Sequence, residues 1–285
     1  MSYFDFDAMK IEDKKMQEVK QLGLQLAPTQ ASLLLVGEAG VGKTSLARFI
    51  FSKARSSRLQ ILDCKNVGDF NIAGVNGGTL LIEDLDCASA AVQTELMKLV
   101  ERPDGSRPRF ISTSRRDLRN QVRQEQFRQD LFYKLAVVHL EIPRLESRPA
   151  DFHNIVNFIL EVSQIMHGKS GLRLTAEAFS RLNSWNWPGN IRELENVLER
   201  AVVLAKSTLI GPDDIQFETI SEDVALNFAP GMSLSEVEKR LIIQTLELTA
   251  QNRTRAAQLL GISIRTLRNK LNEYKNEFKD EEGVL

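Results

Sequence analysis

The segment Gly37–Thr44 reads GEAGVGKT, and no other feature restricts the fold of this chain as tightly. It fits the pattern G-x-x-x-x-G-K-[ST], follows the strand-like run ASLLLVG and opens a helix-like stretch, TSLARFIFSKA. That context is what a phosphate-cradling loop needs. Its glycines let the backbone N–H groups of Gly37, Glu38, Ala39, Gly40, Val41 and Gly42 curl round phosphate oxygens. Lys43 reaches the outer phosphates as a point charge, Thr44 offers a hydroxyl to Mg2+, and the helix N-terminus adds a favourable dipole. Downstream, TLLIEDLD ends an apolar strand on adjacent carboxylates, Glu83 and Asp84, where acids can reach Mg2+ and an attacking water.

Around this loop the apolar runs LQILDC, TLLIEDLD and RFISTS alternate with the helical stretch AAVQTELMKLVE. Such alternation predicts an α/β layer on a mainly parallel sheet, here over residues 31–145. From residue 146 to 218 the pattern is helical, in FHNIVNFILEVSQIM, TAEAFSRLNSW and NIRELENVLERAVVLA. Residues 219–232 carry Asp223, Pro230 and Gly231 with no clear period and read as a linker. Three short helices are expected over residues 233–275, and a frayed acidic tail over 276–285. At the other end, residues 1–30 read as a lead-in with one amphipathic helix. It carries Met9, Met16, Val19 and Leu22 at helical spacing and ends near Gly23 and Pro28. That leaves no room for a sensory domain, so the controlling signal is expected to come from elsewhere.

Composition narrows the class further. The 285 residues are 42 % hydrophobic and 26 % charged, ordinary globular proportions. Two cysteines make no disulfide framework, no apolar run reaches about 18 residues, and Asp5 and Asp7 stand where a signal peptide carries basic residues. A cytoplasmic protein without membrane contact is expected. Net charge is −1, but residues 233–274 hold seven basic and four acidic side chains, so the last module is locally basic.

In that module the stripe Leu234, Val237, Leu241 and Leu248 is followed by NRTRAAQLLGIS and SIRTLRNKLNEY. Helix, short helix, glycine turn and helix is the order of a helix-turn-helix. Ala257 suits a close helix crossing, Gly261 the turn and Ser263 the next cap, while Ile264, Leu267 and Leu271 fall on one core face. The other face carries Arg265, Thr266, Arg268 and Asn269, placed to read base edges of double-stranded DNA, with Arg253, Arg255 and Lys270 set for phosphates. A solvated face on a dimerisation module is the plainer alternative. Helix-turn-helix modules work as dimers on two half-sites, so self-association through the first helix is expected. Elsewhere, His139, His153 and His167 are isolated, and Trp185 and Trp187 read as packing anchors. Arg115, Arg116, Arg119 and Arg123 suit a neighbouring subunit, nucleic acid or plain solvent.

The segments GEAGVGKT, GGTLLIEDLD, RFISTSRRDL, FRQDLFYKL, WPGNIRELENVLERAVVLA and TRAAQLLGISIRTLRNKL occur in an order that resembles the bacterial enhancer-binding proteins. These are the NtrC-type AAA+ activators of sigma-54 RNA polymerase. The resemblance runs from about residue 10 to residue 275 and implies an AAA+ core with a parallel sheet, a helical lid and a Fis-type helix-turn-helix. It also implies ATP with Mg2+, the ion held through Thr44 and Glu83, and a ring that hydrolyses ATP between subunits and remodels the polymerase. By position, Lys43 and Thr44 resemble the Walker A pair, Glu83 and Asp84 the Walker B acids, Ser114 sensor I, Arg192 sensor II, and Arg128 and Lys134 the two arginine-finger positions.

Four departures shape the functional expectation. The Walker B order is acid-swapped, so Asp84 stands where the family has glutamate and is one methylene shorter; about 1 Å of misplacement costs on the order of 100-fold in rate. Ser114 and Arg115 replace the family's Thr-Asn pair, and Lys134 lacks the planar fork of arginine. Finally, residues 45–76 must hold a helix, a strand and the next connection in 32 positions, without the Gly-Ala-Phe-Thr-Gly-Ala loop that contacts sigma-54. The expectation is an ATP-binding, DNA-binding regulator that oligomerises, hydrolyses ATP weakly and does not touch sigma-54. A working ATPase that remodels a transcription complex, or a non-catalytic subunit tuning a related activator's ring, are the alternatives.

Overall fold

The strands LLLV, TLLIE and RFISTS are buried along almost their whole length because a parallel sheet covered on both faces has no use for polar alternation, whereas LQILD, at the edge of the sheet, fully buries only Leu62. The computed structural model describes residues 6–54, 58–68, 70–103, 105–217, 233–249 and 252–281, in two units, Met1–Glu218 and Thr219–Leu285. In the first unit, β1 (Leu33–Val36), β2 (Leu59–Asp63), β3 (Thr79–Glu83), β4 (Arg109–Ser114) and β5 (Val138–Glu141) form one sheet in the order β2-β3-β4-β1-β5. Every neighbouring pair is parallel, as the sequence predicts. In this sheet β5 escapes the sequence reading, since it is four residues long and His139 breaks its apolar run, and the two-residue strands Arg173–Leu174 and Leu209–Ile210 within the segment read as helical escape it too.

The pleat sorts side chains between two cores. Leu33, Leu35, Leu81 and Ile111 pack with Met16 and Val19 of α1 (Lys14–Leu26), Leu46 and Ile50 of α2 (Lys43–Ser52), and α6 (Pro149–Met166). Leu34, Leu80, Ile82 and Phe110 face the other way, onto α3 (Ala90–Val100) and α5 (Gln129–Leu135). A short α4 (Leu118–Arg123) precedes α5. The helical segment consists of α6, α7 (Ala176–Asn183) and α8 (Asn190–Leu204), with a two-stranded ladder of β6 (Arg173–Leu174) and β7 (Leu209–Ile210). Between β2 and β3, the described residues form a single short 3-10 turn, Ile72–Gly74.

The N-terminal helix corrects the expected stripe. Asp13 caps α1 by accepting from Met16 N at 2.9 Å, so Met9 lies ahead of the helix, and Leu22 is 45 % exposed. Met16, Val19 and Gly23 are the buried set. Gly23 does not end the helix; it admits Ile50, whose Cγ1 would lie 3.0 Å from an added Cβ. The C-terminal end is instead satisfied from far away in sequence. Buried Arg109 donates to Leu26 O at 2.9 Å, Ala27 O at 2.7 Å and Ala31 O at 3.4 Å.

The second unit holds α9 (Leu234–Leu248), α10 (Arg253–Leu260) and α11 (Ile264–Glu281), with Ile242, Leu246, Ala256, Ala257, Leu267 and Tyr274 buried between them. Gly261 takes φ +66° and Ser263 Oγ accepts from Thr266 N at 3.0 Å, as the turn and cap require. Two expectations change. Val237 and Leu241 are only half-buried while Ile242 and Leu246 carry the core, and Ile264 is 37 % exposed beside fully buried Leu267. The last helix also continues to Glu281, past residue 276 where the tail was expected. The linker over 219–232 and the side chains of Leu234 and Leu248 lie outside the described residues. Among the described residues no helix is long and apolar enough to cross a membrane.

Arg109→Met removes three charge-assisted hydrogen bonds and strands the carbonyls at the end of α1. We expect a loss of roughly 2–4 kcal/mol, read as a lower urea midpoint with far-ultraviolet circular dichroism unchanged.

Candidate functional site

Between β1 and α2 the loop turns through two left-handed glycines, Gly40 at φ +78° and Gly42 at φ +100°. Gly40 is also forced by contact, because an added Cβ would lie 2.1 Å from Gly189 O. Lys43 Nζ donates to Gly37 O and Glu38 O, both at 2.7 Å. Burial pushes its ammonium down to about 8, against the opposing pull of Asp84 and Asp86. The loop opens on a cleft of about 280 Å³. Of the sequence-predicted residues, Ala39, Gly40, Gly42, Lys43, Thr44, Glu83, Asp84 and Arg192 line it. Gly37, Glu38 and Val41 build the loop behind it.

The carboxylates are presented by the end of β3. Glu83 is its last residue, and Asp84 turns into the left-handed region at φ +50°, its N–H donating to Thr113 Oγ1 at 3.0 Å. Asp84 Oδ2 lies 2.5 Å from Lys65 Nζ, and Oδ1 lies 3.8 Å from Arg115 Nε, which also meets Asp86 at 3.3 Å. Ser114 does not line the cleft: its hydroxyl donates to Arg116 O at 2.6 Å. Thr113 does line it. A one-residue step along a strand changes face, so the hydroxyl on the loop side belongs to Thr113. The signal was in the pleat, since Thr113 shares parity with Ile111 in the core beneath α2. Asp63, Lys65 and Glu195 also line the cleft and carried no motif signal.

The start of α8 is sewn to the loop. Asn190, buried and at φ +54°, accepts from Leu145 N at 2.9 Å and donates to Ala39 O at 3.1 Å and Glu38 Oε2 at 3.4 Å. Ile191 N donates to Gly40 O at 3.0 Å. Glu193 accepts from Gly189 N and from Trp185 Nε1, each at 2.8 Å, holding the WPGN turn in which Trp187 takes φ +53°. Trp187 is buried, and Trp185 stacks on Phe217 at 4.5 Å, so both anchor packing as expected. Asn190 was missed by sequence reasoning, and only the closing of the two segments reveals its role.

Arg128 and Lys134 lie on the α5 segment, outside the cleft lining, with Arg128 paired to Asp130 at 2.7 Å. Of the arginine cluster, Arg115 enters the cleft while Arg116, Arg119 and Arg123 are exposed. In the second unit Arg253, Arg255, Arg265, Thr266, Arg268 and Asn269 are all exposed, and Lys270 is tied to Glu238 at 2.8 Å.

A parallel sheet with a glycine loop at the end of an interior strand, acids on the strand two places away and a helical segment closing on the loop define a P-loop NTPase core of AAA+ type with a lid. Residues 12–145 match the sigma-54 interaction domain, 146–227 the AAA+ ATPase lid domain and 233–274 the bacterial regulatory proteins of the Fis family. The transcriptional regulatory protein FlbD of Caulobacter vibrioides is 34 % identical over 95 % of this chain and 71 % of its own length. The regulatory protein AtoC of Escherichia coli is 31 % identical, covering 91 % of this chain and 66 % of its own length. The chain therefore belongs to the bacterial enhancer-binding family, sigma-54-type transcriptional regulators with an AAA+ domain and a Fis-type DNA-binding helix-turn-helix. Solved structures agree in fold. NtrX from Brucella abortus, crystallised with ATP, aligns at TM-score 0.65 and 21 % identity over 93 % of this chain and 69 % of that one. The Thermotoga maritima branch migration motor RuvB aligns at 0.54 and 17 % identity over 90 % and 85 %.

Two outcomes test the site. Gly40→Ala, strained in φ and driven into Gly189 O, is expected to abolish nucleotide binding and lower the melting temperature, checked by fluorescent-nucleotide titration and calorimetry. Below pH 8 the Lys43 ammonium is charged before an anion arrives; above it a proton must be taken up on binding. Nucleotide affinity should therefore fall by up to about tenfold per pH unit between pH 8 and 9, and Lys43→Arg should flatten that profile.

Proposed function

We propose that the protein is an ATP-binding, sequence-specific DNA-binding regulator of the bacterial cytoplasm. In this reading ATP governs self-association, hydrolysis is weak, and sigma-54 is not contacted directly. The observation that carries the first part is the meeting of Lys43, Thr44, Glu83 and Arg192 around one cleft. The donor set suits the ligand: Lys43 and Arg192 would hold phosphates, and Thr44 and Glu83 would hold Mg2+ through its hard-oxygen preference. Bound Mg2+ would screen the outer phosphates.

Weak turnover is supported by the short Asp84 side chain and by a lysine at position 134. The lack of direct sigma-54 contact is supported by the connection from β2 to β3, whose described residues hold one 3-10 turn. DNA recognition is supported by the exposed face of Arg265, Thr266, Arg268 and Asn269 over a packed Leu267. Exposed Arg128, outside its own subunit's cleft, favours a second reading, a ring ATPase with arginine supplied in trans.

The test is ATP binding and steady-state hydrolysis with and without DNA, for the wild type, Lys43→Ala and Asp84→Ala, beside gel shifts on selected operator DNA. We expect binding lost only in Lys43→Ala, turnover independent of Asp84, and operator affinity reduced about ten- to hundredfold by Arg268→Ala. Robust turnover lost in both cleft variants would establish the second reading.

A further inference from the structure

Lys65 stands in the turn after β2, and no role for it in ligand recognition follows from the motifs. Its N–H donates to Asp63 Oδ1 at 2.9 Å, and Cys64 N donates to Glu83 O at 3.0 Å, so the backbone of the turn is fixed against the end of β3. From there the ammonium enters the cleft and lies 2.5 Å from Asp84 Oδ2. The other oxygen of Asp84 faces Arg115, which is itself held by Asp86. Both oxygens of Asp84 therefore face cations, which leaves fewer lone pairs to orient a water.

A second observation points to an anion. Lys43 and Lys65 bring two ammonium groups of one chain to the same small cleft, where Lys65 is among the charges that weigh against that of Lys43. A phosphate between them relieves that repulsion. The Lys65 side chain is 47 % exposed, so its pair with Asp84 is readily exchanged, and its flexible four-carbon stem needs no backbone movement to turn.

We propose that Lys65 is a phosphate-binding residue that distinguishes nucleotide states within one subunit, pairing with Asp84 beside ADP and with the terminal phosphate beside ATP. The inference rests on the reading that the cleft takes ATP. A terminal phosphate carries more charge and more acceptor oxygens than a carboxylate, so it wins the cation when present. The same turn of the side chain releases Asp84. Preference for ATP is then built into the subunit itself, independent of Arg128 and Lys134 on a neighbour.

Equilibrium titration with fluorescent mant-ATP and mant-ADP separates the possibilities, using the wild type, Lys65→Met, Lys65→Arg and Asp84→Asn. Lys65→Met should weaken ATP about tenfold while ADP changes by less than about twofold, as loss of one charge-assisted contact requires. Lys65→Arg should retain most of the ATP preference, and Asp84→Asn should tighten ATP by removing the competitor. An unchanged ATP-to-ADP ratio in Lys65→Met, or equal weakening of both nucleotides, overturns the proposal while leaving ATP binding intact. A folded wild type that binds neither nucleotide overturns the ATP reading and this proposal with it.

Discussion

The carbonyl of Gly189 lies where a side chain on Gly40 would begin, and much of the first unit is arranged to keep these two backbones in contact. Asn190 and Ile191 complete the seam by hydrogen bonding Ala39 O and Gly40 O. Because the contact is backbone to backbone, it tolerates no added carbon, and it couples the glycine loop to the first turn of α8. Arg192, one residue further on, reaches the cleft as a result. The WPGN turn pays for this with positive φ at Trp187 and Asn190, held by the hydrogen bonds of Glu193 and by packing on Phe217.

Buried cations reinforce the same region. Arg148 is fully buried with Nη2 3.4 Å from Val41 O, and burial pulls its guanidinium below the ordinary range, with Asp151 opposing. Asp151 in turn accepts from Glu12 N at 2.5 Å and Asp13 N at 2.9 Å, at the start of α1. The loop, the first turn of α6 and the entry to α1 thus share one electrostatic neighbourhood. Arg109 does the corresponding task at the other end of α1. Both arginines compensate backbone carbonyls that local sequence leaves open.

Binding and turnover make different demands on such a cleft. Binding sums over several contacts, whereas turnover depends on the placement of a few groups relative to the reacting atoms. The positions that depart from the family pattern, Asp84, Arg115 and Lys134, concern the second demand. In the proposed function, Lys43, Thr44 and Arg192 serve the first. The proposed function rests on this division: a nucleotide site kept for binding and used chiefly as a ligand-controlled switch.

The loop, the strand that delivers Glu83 and Asp84, the parallel sheet, the three helices of the lid and the order of the helix-turn-helix were legible in the residues. Each is a local pattern: glycine spacing, an apolar run or a 3.6-residue period. What was misread depended on which neighbour a side chain meets. Leu22 and Ile264 sit at core-like spacing yet are 45 % and 37 % exposed, because spacing along a helix does not say how far its packing partner extends. Ser114 gave way to Thr113 because the pleat, fixed by β4 pairing with both β1 and β3, decides which hydroxyl faces the loop. The contacts of Arg109 with α1, of Asn190 with the loop and of Lys65 with Asp84 exist only after distant segments pack together. Sequence by itself determined the elements and the chemistry carried on each; tertiary structure decided which charges meet, because hydrogen bonds and ion pairs depend on distances that no periodicity encodes.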